Sequence, residues 1–355
     1  MSAVPRIELA PGYTIARVVN GGWQLAAGHR VAGHRAAAVD PGAAVDAMIR
    51  LAEAGFTTFD CADVYTGVEE LLGRFLRAYG GRGAVQVHTK LVPDRHALAA
   101  LERRYVERVV DRSLARLGVE RLDLVQLHWW DYEVPGYVEA ARWLDDLRRA
   151  GKVRLLGATN FDVRRLGEIV AAGVPIAAHQ VQYSLLDRRP EHGMADFCAA
   201  HGIAILCYGT LAGGFLSERW LGAPEPAGPL ANRSLVKYRL MIDELGGWPL
   251  YQQLLGELAR IAARLGVAAA NVAARWVLDR PRVAGVLVGA RSAAHAASNG
   301  RIFDVALGDA DRRALAAVLA RARGPRGDVF GLERQPGGRH AAIMKTDLNQ
   351  LGVTV

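Results

Sequence analysis

Eight short runs of apolar and β-branched residues, each followed by a longer segment of helical period, recur along this sequence. They lie near Ala16–Asn20, Thr57–Asp60, Val85–Lys90, Asp123–His128, Val153–Thr159, Ala177–Gln182, Ile203–Tyr208 and Gly285–Gly289. The first seven begin 24 to 41 residues apart, which is the spacing of strand–helix units joined by crossovers. Eight such units predict an α/β chain folded as a closed (β/α)8 TIM barrel rather than an open doubly wound sheet. The eighth run begins about 82 residues after the seventh, so a long loop is expected after strand seven.

Local signals support these units. Asp40-Pro41 places a capping carboxylate before a proline suited to the first helical position, and Gly55 closes the helix that follows. Asp162 and Gly173 bracket another helix in the same way. The stretch RIELAPGYTIARV (6–18) has two β-runs about Pro11-Gly12, an N-terminal β-hairpin that could plug the barrel bottom. Residues 211–248 read as irregular, because APEPAGPLANRS (223–234) is too rich in proline for a long helix; a mobile flap is expected there. We expect one barrel domain over 1–322. A tail over 323–355 either covers the barrel mouth or is partly disordered.

Composition narrows the functional classes. A hydrophobic content of 51% in 355 residues supports a large core. No apolar stretch approaches the roughly 18 residues of a membrane span, and no basic segment followed by an apolar run opens the chain. Three cysteines are too few for a disulfide framework or metal cluster. A cytoplasmic protein with no metal and no membrane partner is expected. The net charge of +8 raises the question of nucleic acid. The arginines alternate with acids, however, as in 103–123, which is the pattern of a solvated helix, and no nucleic-acid motif is present.

Active sites of such barrels form at the C-terminal strand ends. Strand two ends FDCADVY, giving Asp60 and Tyr65; strand three supplies Lys90 and strand four His128. These four can converge on one pocket. Asp63 is expected to cap or bond locally, and Cys61 to be a small buried residue.

This set resembles the catalytic tetrad of the aldo-keto reductase superfamily, and GFTTFDCADVY, GVERLDLVQLHW and GKVRLLGATNF are similar to its phrases in the same order. The resemblance spans about Val18 to Asn299. It implies NADPH-dependent reduction of an aldehyde or ketone to an alcohol. Tyr65 would donate the proton, Lys90 would lower the phenol pKa, Asp60 would hold Lys90, and His128 would orient the substrate oxygen. It also implies a nicotinamide dinucleotide stretched over the mouth. Thr159, Asn160 and Gln180 would hold the carboxamide and Tyr208 would stack on the ring. Gly209, Thr210, Leu211 and Gly213 would lie at the pyrophosphate, with Gly214 also allowing close approach. Gly289, Arg291, His295 and Asn299 would meet the adenosine end, Arg291 at a 2′-phosphate. His295 and Ser298 depart from the family pattern, so NADH stays open beside NADPH. Trp23, Trp129 and Trp130 are expected to form an aromatic substrate wall. Two alternatives remain: a cofactor-binding regulatory subunit, or a barrel epimerase or dehydratase that recycles its cofactor. The oligomeric state is not legible.

Overall fold

A computed structural model describes residues 4–26, 39–289 and 292–349. The chain opens with an antiparallel hairpin, β1 (Arg6–Ala10) and β2 (Tyr13–Ala16). Eight parallel strands then close a barrel: β3 (Val18–Gly21), β4 (Thr58–Asp60), β5 (Gln86–Leu91), β6 (Leu122–Leu127), β7 (Val153–Thr159), β8 (Ile176–Gln182), β9 (Ala204–Tyr208) and β10 (Val283–Gly289). β10 pairs with β3 to complete the ring. Each expected strand is present to within two residues at either end. Ala16, expected in the first barrel strand, instead ends the hairpin.

The hairpin fills the barrel from below. Leu9, Tyr13 and Ile15 pack against Leu124, Ala178, Ala204, Leu206 and Ala284 in a small cluster separate from the main core. The main core lies between barrel and helices, where each helix buries one apolar stripe. These helices include α1 (Pro41–Glu53), α2 (Val68–Tyr79), α3 (Arg103–Leu117), α4 (Tyr137–Arg149), α5 (Val163–Ala171) and α6 (Met194–Ala200). The expected caps form: Asp40 Oδ1 accepts from the Gly42 and Ala43 amides at 2.8 and 3.2 Å, and Asp162 Oδ1 from the Arg165 amide at 2.8 Å.

The segment after β9 is less irregular than its sequence suggests. The prolines end at Pro229, and α7 (Arg233–Leu245) begins with Asn232 as its cap, accepting from the Leu235 amide at 3.0 Å. Leu235, Tyr238, Met241, Ile242 and Leu245 form its buried stripe. This helical spacing was masked by the proline-rich run before it. α8 (Trp248–Leu265) and α9 (Ala269–Leu278) then lead to β10. Among the described residues, no single helix is long and apolar enough to cross a membrane.

α2 and α3 meet at Gly73, where a Cβ would stand 2.2 Å from the Arg116 carbonyl oxygen. Gly73→Ala is therefore expected to force the helices apart. The predicted loss is about 1–3 kcal/mol, read as a lower urea midpoint with an unchanged m-value.

Candidate active site

The strand register brings the chemistry together. Asp60 ends β4 opposite His88 of β5, and Lys90 of β5 lies opposite Gln126 of β6. Side chains two apart on a strand face the same way, so His88 and Lys90 share one face. Lys90 Nζ donates to Asp60 Oδ2 at 2.6 Å and to the Cys61 carbonyl at 2.7 Å. Asp60 Oδ1 takes the Gln180 amide at 2.7 Å and the Gln126 amide at 3.1 Å. Gln126 escaped the sequence reading, because a glutamine inside a strand carries no motif of its own.

Tyr65 sits on the turn between β4 and α2, fixed by hydrogen bonds from its amide to the Ala62 carbonyl and from the Val68 amide to its own carbonyl. Its ring centroid is 5.4 Å from Lys90 Nζ and 5.0 Å from Trp23. Burial disfavours the Lys90 ammonium, but Asp60 outweighs it and holds the pKa above its ordinary value. Tyr65 departs from expectation. Burial pushes its phenol up and the Lys90 ammonium only partly offsets this, because that charge is already neutralised by Asp60 and the ring has lost water.

His128 lies one residue beyond β6. Its Nδ1 is 3.3 Å from the Thr159 carbonyl, which can only accept, so Nδ1 carries the proton. Nε2 is buried without a partner. Burial, aided by the Arg334 charge, depresses its pKa to about 3, so the imidazole is neutral. Trp130 meets His128 edge-on at 4.3 Å. Trp129 does not join the expected wall. Its ring faces the other way, fully buried, with Nε1 donating to the Val134 carbonyl at 2.9 Å and Tyr137 of α4 beside it.

The residues expected to hold a dinucleotide are placed unevenly. Asn160 takes a left-handed conformation (φ 64°), and its Oδ1 accepts from the Tyr208 hydroxyl at 2.8 Å. Thr159 Oγ1 donates to the Gln180 carbonyl, and the Gln180 amide is given to Asp60. Thr210 turns inward, donating to the Cys207 carbonyl at 3.1 Å. Gly213 serves the fold rather than an open cradle: a Cβ there would stand 2.9 Å from Tyr238. Gly209 is equally confined, with a Cβ 2.3 Å from the Tyr238 hydroxyl, whereas Gly214 faces open space. Leu211 is half-buried. Gly289 and His295 are exposed at the end of β10 and Asn299 is half-buried nearby. Arg291 lies outside the described residues. The half-buried Tyr208, the open Gly214 and the exposed β10 end fit an extended dinucleotide along this rim.

The C-terminal tail supplies residues that sequence reasoning missed. Phe330 packs edge-on to His128 at 5.4 Å, and a short helix, Gly331–Arg334, follows. Glu333 is fully buried, 3.2 Å from both Arg189 and Lys237; despite burial those cations hold its carboxyl down to about 2. Lys237 stands 5.1 Å from the Tyr208 ring centroid and 5.3 Å from Phe330. Arg334 donates to the Asn160 carbonyl at 2.9 Å and the Trp129 carbonyl at 2.6 Å. Further on, Asn349 donates to Asp63 at 3.0 Å and to the Val92 carbonyl at 2.7 Å. No periodicity announces this segment, because single anchors hold it rather than a continuous apolar face.

The closed parallel barrel carries at its strand ends a phenol beside a paired amine, a carboxylate and a neutral imidazole. Residues 17–320 match the model of the aldo/keto reductase family, and the chain belongs to that family. It is an NAD(P)H-dependent carbonyl reductase by class. It is 30% identical to the aldo-keto reductase YhdN of Bacillus subtilis, over 75% of this chain and 80% of that protein. It is 32% identical to flagellar radial spoke protein 5 of Chlamydomonas reinhardtii over 66% of this chain, a match that spans only 56% of that relative. The solved glycerol dehydrogenase AKR11B4 of Gluconobacter oxydans superposes with a TM-score of 0.75 at 26% identity, covering 92% of this chain and 98% of that one.

The environment of His128 predicts a ring that stays neutral from pH 8 down to about 4. Because its folded pKa is depressed, it takes up a proton only near pH 3, while the unfolded ring does so near 6.5; stability from this group is lost as pH falls below 6.5. Histidine ring NMR, assigned with a His128→Gln variant, checks this. A His128 titration near pH 6.5 contradicts it.

Proposed function

We propose that the chain reduces an aldehyde or ketone to an alcohol with NADPH, using Tyr65 as proton donor. The observation that carries this is the Tyr65–Lys90–Asp60 arrangement, with the 2.6 Å ion pair set beside the phenol. When bound, a reduced nicotinamide would supply the hydride that the carbonyl carbon takes up. Tyr65 Oη gives its proton to the carbonyl oxygen as the C=O π bond breaks, and solvent later returns that proton. The raised phenol pKa keeps the donor loaded at neutral pH. As negative charge develops on Oη, the Lys90 ammonium stabilises it. Asp60, held by two amides, keeps Lys90 charged. His128, with its free Nε2 lone pair, accepts a hydrogen bond from the alcohol hydroxyl and orients the carbinol. In the oxidative direction Tyr65 acts as the base.

Thr159, Asn160, Gln180 and Tyr208 would hold the nicotinamide, the 209–214 turn the pyrophosphate, and Gly289, Arg291, His295 and Asn299 the adenosine end. Arg291 favours NADPH through a 2′-phosphate, with NADH the second choice. Trp23 and Trp130, with Phe330 in place of Trp129, form an apolar wall for the substrate. The barrel, 1–322, and the tail, 323–355, act as one unit in a cytoplasmic enzyme without metal, nucleic acid or membrane.

NADPH is expected to quench tryptophan fluorescence and to be oxidised by a reactive aromatic aldehyde, faster than NADH. Tyr65→Phe is expected to lower kcat by 10³-fold or more while the quench survives. Full turnover by Tyr65→Phe would remove the assigned donor. A quench with no turnover across a carbonyl panel would favour a cofactor-binding subunit.

A further inference from the structure

Several buried cations at the barrel mouth are paired with carboxylates. Lys90 is matched by Asp60 at 2.6 Å, Arg189 by Asp187 at 2.7 Å, and Lys237 by Glu333 at 3.2 Å. Arg334 ion-pairs with no carboxylate among the described residues. Its Nη atoms reach only the backbone carbonyls of Asn160 and Trp129, and its Nε is buried with no acceptor. The guanidinium is held between the Tyr132 ring at 4.1 Å and the Phe330 ring at 5.0 Å. Burial lowers its pKa somewhat, but guanidinium remains charged at any ordinary pH. The side chain is half-buried, so this charge is partly withdrawn from water with no carboxylate beside it, an environment that favours an incoming anion.

The position is specific. Phe330 touches both the Arg334 guanidinium and His128, so the cation stands one aromatic ring away from the imidazole. Its charge reaches that imidazole and contributes to keeping it neutral. A substrate with its carbonyl oxygen at Tyr65 would lay its body past His128 along Trp130 and Phe330. A group at its far end would come to Arg334.

We infer that Arg334 binds an anionic group of the substrate, and that the preferred substrates are carbonyl compounds with an apolar body ending in a carboxylate. This rests on the reductase reading above and names the substrate class of that site. Two backbone carbonyls and two aromatic faces preset the guanidinium, so a carboxylate is met by the remaining Nη hydrogens of a fixed group rather than by a flexible chain.

The test compares 4-carboxybenzaldehyde with its methyl ester, two aldehydes of similar shape that differ by one charge, the ester being the more electrophilic, in the full-length protein with saturating NADPH. The expected acid-to-ester ratio of kcat/KM is ten or more in the unsubstituted protein. It should fall at least tenfold in Arg334→Met and be partly restored in Arg334→Lys, which keeps the charge. A structural pin for the tail would lower both substrates together and leave the ratio unchanged. A ratio near one in the unsubstituted protein, or a high ratio persisting in Arg334→Met, overturns the inference. If neither compound is reduced, the reductase reading fails instead. Benzoate binding, followed by tryptophan fluorescence with cofactor present, then decides the anion site: binding at least tenfold weaker in Arg334→Met supports it, and equal binding overturns it.

Discussion

The ion pair between Lys90 and Asp60 is the interaction on which the site depends. Both side chains are buried at the top of the barrel, where an isolated ammonium or carboxylate would be strongly disfavoured. Each is tolerable because the other is 2.6 Å away and the remaining valences are filled: Lys90 by the Cys61 carbonyl, Asp60 by the Gln126 and Gln180 amides. These partners come from β5, β4, β6 and β8. The pair therefore exists only when the barrel closes in this register. In the proposed reaction it is the preset charge that makes a phenol able to release a proton without rearrangement.

A second buried network, Asp187–Arg189–Glu333–Lys237, ties the tail to the barrel rim. Its consequence lies in what it positions. Phe330 is set over His128, and Arg334 over the ends of β6 and β7. The mouth is thereby divided: an aromatic, enclosed side near His128 and Trp130, and an open rim from Gly214 to the end of β10. That division suits a small carbonyl compound on one side and a long dinucleotide on the other.

Much of this was legible in the residues. Eight β-runs at crossover spacing gave the barrel, and the polar residues at their ends gave Asp60, Tyr65, Lys90 and His128. The misreadings have physical causes. Trp129 and Trp130 are adjacent and so point to opposite sides, and nothing local says which faces the mouth. The helix Arg233–Leu245 was hidden behind the prolines of 224–229. Gly209 and Gly213 are small because Tyr238 presses on them, a contact across the fold that sequence spacing cannot show. The direction of the Tyr65 shift depends on the balance of burial against one neighbouring charge, which requires coordinates. The tail anchors, Phe330, Glu333 and Arg334, carry no pattern because each contacts a different distant element.

The most direct test of this account is single-turnover hydride transfer in Asp60→Asn with NADPH bound beforehand. An amide in place of the carboxylate keeps the shape but removes the charge that holds Lys90 protonated. The account predicts that cofactor binding persists while the transfer rate falls by about 10²-fold or more. A rate equal to that of the unsubstituted protein would contradict it.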